Sequence, residues 1–365
     1  MKTNRFTKGI YFDKKLTIPI LILLFVGFIA ILDVSAPKAM ETFSDRFYFA
    51  KQQGMWIVIG LVFYLIFSYL PYTLWEKYAL HLLVISFILL VLVLIPYFGI
   101  ETLGARRWID LGFSSIQPSE FAKLALCIYV ARIASSGKGI AAYFFPIVIM
   151  VLLIMAQPDL GTVITLLFIF FMQLFVSGIS VKSVFLYVLL GIILSLILIF
   201  SSDYRRDRVA SFVDPFAKNS DTNYHIKQVL YSLANGGIGG VGIGQSRQKY
   251  LFLPEATTDS IFAVVAEETG FVGVFSILIL YFTISARLLK LASAFKGTYE
   301  KVLSIGIFSW FTGQTFINLG SISSTIPFTG VPLPFISYGG SSLLSLLIAF
   351  GIFNSLIIFN GEAMG

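Results

Sequence analysis

The densest collection of reactive side chains lies between Gln245 and Glu268, QSRQKYLFLPEATTDSIFAVVAEE, at the mouth of a long apolar run. Arg247, Lys249, Glu255, Asp259, Glu267 and Glu268 stand together there, in a chain of which only 12% of residues are charged. Charge at a membrane boundary is costly, so ionisable groups held there are functional candidates. Asp259 leads them. It follows Pro254 and Thr257-Thr258, residues typical of a helix start, so one role open to it is a first-turn carboxylate favoured by the helix dipole. The other is general base: an ionised carboxylate that takes the proton of an attacking hydroxyl as the new bond forms. A helix N-terminus keeps such a group ionised and weakens it as a base, whereas burial at the membrane surface acts in the opposite sense. Asp259 is the candidate catalytic residue, with Arg247, Lys249 and Glu255 as candidate binding residues on the same stretch.

Further polar groups stand at other helix mouths. Glu120 and Lys123 are three apart on one helix face, where they can neutralise each other or meet a ligand. Arg106 and Arg107, beside Trp108, suit either an interfacial anchor or a grip on pyrophosphate through their planar forks of donors. Asp159, in the Gln157-Pro158-Asp159 turn, can cap the following helix through the amides of Gly161 and Thr162 or face a ligand. Ser341 and Ser342 open the last helix, where they can cap it or offer hydroxyls and amides to a ligand.

Other chemistries find no support. The single Cys127 leaves no disulfide framework, and His81 and His225 lie too far apart for a metal cluster of the usual spacing. Gly237, Gly239 and Gly242 spell a G-x-G-x-x-G, but a dinucleotide site needs a strand before it and a helix after it within a βαβ unit. Here the preceding 224–234 segment places Ile226, Val229, Leu230 and Leu233 at helical spacing, an amphipathic helix for the interface. The glycines read as a close-approach backbone segment, with amides able to contact phosphate. A net charge of +7 comes from Lys and Arg spread through loops, which fits a membrane surface or an anionic lipid and not nucleic acid.

The elements that must position these residues are membrane helices. Hydrophobic residues make up 57% of the chain and its mean hydropathy is +0.89. The first apolar run, 16–32, follows a basic start and could be a signal peptide, but Pro37 directly after the small-residue site argues against cleavage. A span needs roughly 20 apolar residues, and nine further runs are expected at 55–71, 79–98, 117–134, 141–156, 160–178, 183–200, 261–286, 302–319 and 341–359. This predicts an all-α polytopic membrane protein of ten transmembrane helices. Thirteen Lys and Arg fall on the N-terminal side of the membrane, against six in the short loops opposite, which sets both termini in the cytoplasm. The long 201–260 segment between helices seven and eight then lies outside. It carries Arg205, Arg206, Arg208, Lys218, Lys227, Arg247 and Lys249 on the side the rule disfavours, which an anionic ligand would explain. The run from Pro327 to Ser342 cannot be one helix because Pro327, Pro332 and Pro334 break it. Such backbone is tolerated only where protein or a wet cavity covers it.

Five segments then carry a family resemblance: GARRWI at 104–109, QPSEFAK at 117–123, QPDLGT at 157–162, the 224–273 block, and PFTGVPLPFISYGGSS at 327–342. In this order they resemble the SEDS family, the FtsW/RodA/SpoVE proteins, with the 43–60 segment and Phe316-Ile317-Asn318 leaning toward its FtsW-like branch. The resemblance implies one membrane domain over 1–365: a cytoplasmic segment 1–15, an outer loop 201–260 with its amphipathic helix, and a Pro/Gly-rich outer loop 320–342. It implies a peptidoglycan glycosyltransferase of the bacterial cytoplasmic membrane that polymerises lipid II, an undecaprenyl-pyrophosphate-linked disaccharide-pentapeptide. A class B penicillin-binding protein and other division or elongation proteins are the implied partners. No cofactor is implied; a divalent cation at the pyrophosphate is compatible with the chemistry. The aspartate of the family's P-E-x-x-T-D segment falls on Asp259, and Glu120 and Lys123 match its polar pair in the fourth helix. The chain departs from the pattern at Thr257, at Ser260, where Phe is common, and at His225, where Gln is usual. A lipid flippase, or a non-catalytic division scaffold, would fit a ten-helix protein too.

Overall fold

The computed structural model describes residues 12–102, 104–110, 112, 114–180, 221–250 and 252–360, with single positions between 181 and 220. In chain order the elements are α1 (Lys14–Val34), short α2 (Ala36–Phe43), α3 (Tyr48–Tyr69), α4 (Thr73–Leu92), and strands β1 (Gly99–Thr102), β2 (Ala105–Asp110) and β3 (Ser115–Ile116). There follow α5 (Pro118–Ser136), α6 (Ala141–Ala156), α7 (Leu160–Val176), α8 (Asp221–Gly236), α9 (Ile261–Ala294), α10 (Thr298–Ile322) and α11 (Gly340–Asn360). Among the described residues six helices, α1, α3, α4, α9, α10 and α11, are long and apolar enough to cross a membrane, and α6 and α7 are shorter apolar helices. The chain is a multi-pass membrane protein. The expected span at 183–200 lies outside the described residues except at single positions, and Arg205, Arg206, Arg208 and Lys218 lie outside them altogether.

The other expected spans each meet a helix, with shifted ends. The second starts earlier, at Tyr48, and the third stops at Leu92 because the chain then turns into a small sheet. That sheet, antiparallel in the order β1-β2-β3, was expected only as loop. α5 is less apolar than its neighbours because it is an interior helix: Ser119, Glu120, Ala122 and Lys123 are all buried in its first turns.

α1 is fastened at both ends. Asp13 caps it by accepting from the Leu16 amide at 3.0 Å, and also accepts from Arg287 Nε of α9 at 3.0 Å. At the far end Asp33 receives Lys249 Nζ at 2.8 Å. A 21-residue helix rises about 31 Å, close to the hydrocarbon thickness of about 30 Å, so these two pairs stand at opposite ends of a helix long enough to cross the membrane.

α9 is broken rather than continuous. Gly270, at φ 63° and ψ −164°, interrupts it, and the glycine-rich segment after α8 lies against the break. The Val241 and Gly242 amides donate to the carbonyls of Glu267 and Glu268 at 3.0 and 3.1 Å, and the Phe271 amide donates to Gly237 at 2.9 Å. A Cβ on Gly270 would fall 2.2 Å from the Gly240 nitrogen, so this backbone-on-backbone contact requires the bare residue. The glycine cluster thus re-satisfies a kinked membrane helix, as backbone buried in lipid-facing protein must.

Between α10 and α11 the chain is non-helical, as its prolines require. Protein covers it: Phe335 is buried against Phe311 and Phe350, and Tyr281 of α9 donates to the Pro334 carbonyl at 2.5 Å.

Candidate functional site

Asp259 lies in the turn just before α9, half-buried, at the end of the molecule marked by Lys249 and Asp33. It is not in the first turn of the helix, whose N-cap is Ser260. Three neighbouring elements hold this turn one residue at a time. The Tyr338 amide donates to the Thr257 carbonyl at 3.0 Å, Ser337 Oγ to that of Thr258 at 2.5 Å, and Asn318 Nδ2 of α10 to that of Asp259 at 2.9 Å. His225 Nε2 of α8 meets the Ser260 hydroxyl at 2.7 Å. The two contacting side chains of this last pair are both departures from the family pattern. Asn318 Nδ2 also donates to the Val331 carbonyl at 2.7 Å, so one amide joins the Asp259 turn to the Pro/Gly-rich loop. Within that loop Gly330 comes so close that a Cβ there would stand 3.1 Å from Asp259 Oδ2. A carboxylate on a turn fastened residue by residue is pre-positioned, as a proton acceptor must be.

One helical turn before Asn318, Gln314 repeats the pattern. Its Nε2 donates to the Pro332 carbonyl at 2.9 Å, while its Oε1 accepts from Lys123 Nζ at 2.9 Å and from Trp310 Nε1 at 2.8 Å. Lys123 also pairs with Glu120 at 2.7 Å, both side chains being at most 3% exposed. Among the described residues Glu120 Oε2 is buried without a hydrogen-bond partner. Glu120 and Lys123 therefore neutralise each other and also brace the loop that faces Asp259.

The remaining candidates gather at the same end with different tasks. Asp159 caps α7, accepting from the Thr162 amide at 3.0 Å and from Thr162 Oγ1 at 2.7 Å. Gln117 Nε2 reaches Asp159 at 3.3 Å while the Gln117 amide donates to Ser341 Oγ at 2.9 Å, so Ser341 fastens the start of α5 to α11. Arg107 holds the adjoining turn, donating from Nε to the Gln157 carbonyl at 2.9 Å and from its other arm to that of Pro158. Arg106, its neighbour on β2, pairs with Glu101 at 2.9 Å in the open. Glu255 accepts from Thr258 Oγ1 at 2.9 Å. Arg247 is exposed.

Lys249 lies buried between Asp33 and Glu268, at 2.8 and 3.1 Å. Burial pulls its pKa down, but hydrogen bonds to the two carboxylates, and their charge, outweigh it and raise the pKa above the ordinary lysine value. Glu267 accepts from Ser246 Oγ and, at 3.4 Å, from Asn235 Nδ2. A cavity of about 190 Å³ lies beneath the turn, with Lys38, Lys249 and Glu255 among its lining. No group of three or more His, Cys, Asp and Glu able to hold a metal ion occurs among the described residues.

Gln314, Ser337 and Gly330 carry no ionisable group, and sequence reasoning passed over their part in the site. The available signal was position: Gln314 and Asn318 are polar residues one turn apart inside an apolar helix, where each must find partners.

A family profile described as "Cell cycle protein", FtsW/RodA/SpoVE, matches residues 14–360. Stage V sporulation protein E of Bacillus subtilis (strain 168) is 39% identical over 348 residues, covering 93% of this chain and 95% of that protein. The probable peptidoglycan glycosyltransferase FtsW of Aeromonas salmonicida (strain A449) is 36% identical over 352 residues, covering 93% and 89%. Among solved structures, a chain of a peptidoglycan synthase complex that coordinates polymerization and crosslinking superposes with a TM-score of 0.79 at 28% identity, over 96% of this chain and 99% of that one. The rod shape determining protein RodA of Thermus thermophilus superposes with a TM-score of 0.72 at 28% identity, over 96% and 98%. With the family's segments converging on one end of the bundle, and the match running nearly end to end, the chain belongs to the FtsW/RodA/SpoVE family.

Proposed function

We propose that the chain is a peptidoglycan glycosyltransferase that polymerises lipid II on the outer face of the bacterial cytoplasmic membrane, with Asp259 as general base. The observation that carries the reading is the fastening of the Asp259 turn by Tyr338, Ser337 and Asn318, which holds a half-buried carboxylate beside Gly330. A sugar hydroxyl of one lipid-linked unit attacks the anomeric carbon of the growing strand. The new C–O bond forms as the bond to the pyrophosphate oxygen breaks, Asp259 receives the hydroxyl proton, and the lipid pyrophosphate leaves with the bonding electrons. No step calls for a resident cofactor, and a divalent cation, if bound, would ride on the pyrophosphate.

The cations divide by cost. Lys249 is committed to a buried pair, and removing it from Asp33 and Glu268 would leave those charges uncompensated. The exposed pair of Arg106 with Glu101 is worth roughly 0–1 kcal/mol, so Arg106 can exchange its partner for a phosphate, and the exposed Arg247 is accessible to one as well. An apolar groove of about 700 Å³ includes Phe262, three residues past Asp259, together with Leu233, Val274 and Phe316, and offers a hydrocarbon-lined seat for the polyprenyl tail.

In this reading the bundle has ten spans, 183–200 being the seventh, with both termini cytoplasmic and the 201–260 segment outside. In the same reading a class B penicillin-binding protein cross-links the strands, which the fold likeness to a chain of a peptidoglycan synthase complex that coordinates polymerization and crosslinking supports. Asp259→Asn, folded and inserted, is expected to abolish strand synthesis from purified lipid II; synthesis at the wild-type rate would remove the base. Proteoliposomes separate the flippase reading, in which lipid crosses the bilayer without glycan elongation.

A further inference from the structure

We infer that His225 is a positioning residue for Asp259, acting through the hydroxyl of Ser260; the inference rests on Asp259 being the base. Ser260 is the residue after Asp259 and the N-cap of α9. A serine at that position ordinarily accepts from an amide of the second or third helical residue. Ser260 makes no such bond. Its hydroxyl instead meets His225 Nε2 at 2.7 Å, 35 residues away in sequence. A local capping bond has been replaced by a tie between two elements.

The tie has a defined geometry at both ends. His225 is buried in the second turn of α8, and its ring stands edge-on to Phe328 at 4.3 Å and 89°. Phe328 belongs to the same Pro/Gly-rich loop that carries Gly330 up to Asp259 Oδ2. The imidazole is thus clamped between the loop that faces the carboxylate and the residue that follows it. α8 buries Ile226 and Val229 and exposes Tyr224 and Tyr231, so it is an amphipathic helix lying along the protein. The other three anchors of the turn hold main-chain carbonyls from α10 and the loop before α11. The histidine adds the hold from α8, on the C-terminal side of Asp259.

Either tautomer can make the bond to Ser260: a protonated Nε2 donates to the hydroxyl oxygen, and a bare Nε2 accepts the hydroxyl proton. A glutamine has the same number of bonds from Cα to its Nε2, and its amide can donate or accept. Phenylalanine keeps the ring on Phe328 and removes the bond to Ser260 together with the imidazole's other polar contacts, so Ser260→Ala, which touches only the tie, is run beside it. These substitutions separate positioning from packing.

The test is lipid II polymerisation by the full-length chain in lipid vesicles, with kcat and KM measured and thermal unfolding monitored. His225→Phe and Ser260→Ala are each expected to lower kcat roughly 5- to 10-fold at unchanged KM, the rate equivalent of one hydrogen bond. The double variant should be no slower than the slower single, and His225→Gln should return kcat to within about threefold of wild type. Wild-type kcat in His225→Phe, multiplying losses in the double variant, or no recovery in His225→Gln would overturn the inference. Should His225→Phe fail to fold, the smaller Ser260→Ala and the His225→Gln recovery decide it. Asp259→Asn is run alongside. If it still polymerises, the base assignment falls and the inference with it; if it is inactive while His225→Phe is unimpaired, the inference alone falls.

Discussion

The side-chain amide of Asn318 binds the carbonyls of Asp259 and Val331 at once, at 2.9 and 2.7 Å, and so holds the proposed base and the loop facing it as one body. Asn318→Leu keeps the number and branching of side-chain heavy atoms, with bulkier methyls at the two ends, and removes both bonds. Leaving buried carbonyls unpaired costs about 1–3 kcal/mol each, so a lower unfolding temperature is expected. Polymerisation measured well below that temperature should still fall at least about tenfold, because the turn loses its hold. Unchanged turnover in the folded variant would detach Asn318 from the site.

Gly330 supplies a sharper probe of the same geometry. Its φ of +71° costs a residue bearing a Cβ about 1–2 kcal/mol, and that Cβ would stand 3.1 Å from Asp259 Oδ2. Gly137→Ala carries a similar backbone cost at φ +63° with open space around it, and serves as the control. Gly330→Ala is expected to lose synthesis by roughly 10-fold or more while Gly137→Ala retains it. Equal effects of the two would mean that the carboxylate is not crowded.

The buried pair of Lys123 and Glu120 gives a prediction about stability. Lys123→Met leaves the Glu120 charge buried and also strips Gln314 of a donor, so a loss of about 3–5 kcal/mol is expected. The Lys123→Met/Glu120→Leu double variant removes both charges and should recover much of it in thermal unfolding in detergent. A double variant weaker than the single would contradict the pairing.

Lys249 makes a pH prediction. Its folded pKa is raised above the ordinary lysine value of 10.5. A raised pKa means that stability from the ammonium is fully present below the unfolded value and is lost as the pH climbs through the folded one. Lys249→Met should therefore be less stable than wild type at neutral pH, with the difference narrowing above about pH 10.5. A difference that stays constant through that range would place the effect in packing.

Much of this could be read from the chain, for identifiable reasons. Apolar runs bounded by charge located the described membrane helices, and Pro327, Pro332 and Pro334 forecast the break before α11, because both signals are local. Asp259 stood out as a candidate because a carboxylate after Pro254 at a membrane mouth is conspicuous, and the structure brings the Pro/Gly-rich loop up to it. What stayed hidden was pairing at a distance. Nothing local marks Lys249 as the partner of Asp33, 216 residues away, and a lysine near the site reads as a ligand cation until that partner is seen. The β1-β2 hairpin is short, and its alternation is disguised by Arg106 and Arg107, one turned to Glu101 and the other to the turn before α7. The glycine cluster declared close approach without saying to what; the broken α9 was the answer.

Polymerisation of purified lipid II by Asp259→Asn, in vesicles with insertion and thermal unfolding matched to wild type, tests the central claim most directly. The amide keeps the side chain's size and the turn's anchors and removes the proton acceptor, so glycan strands should be absent. Strands accumulating at the wild-type rate would contradict the account.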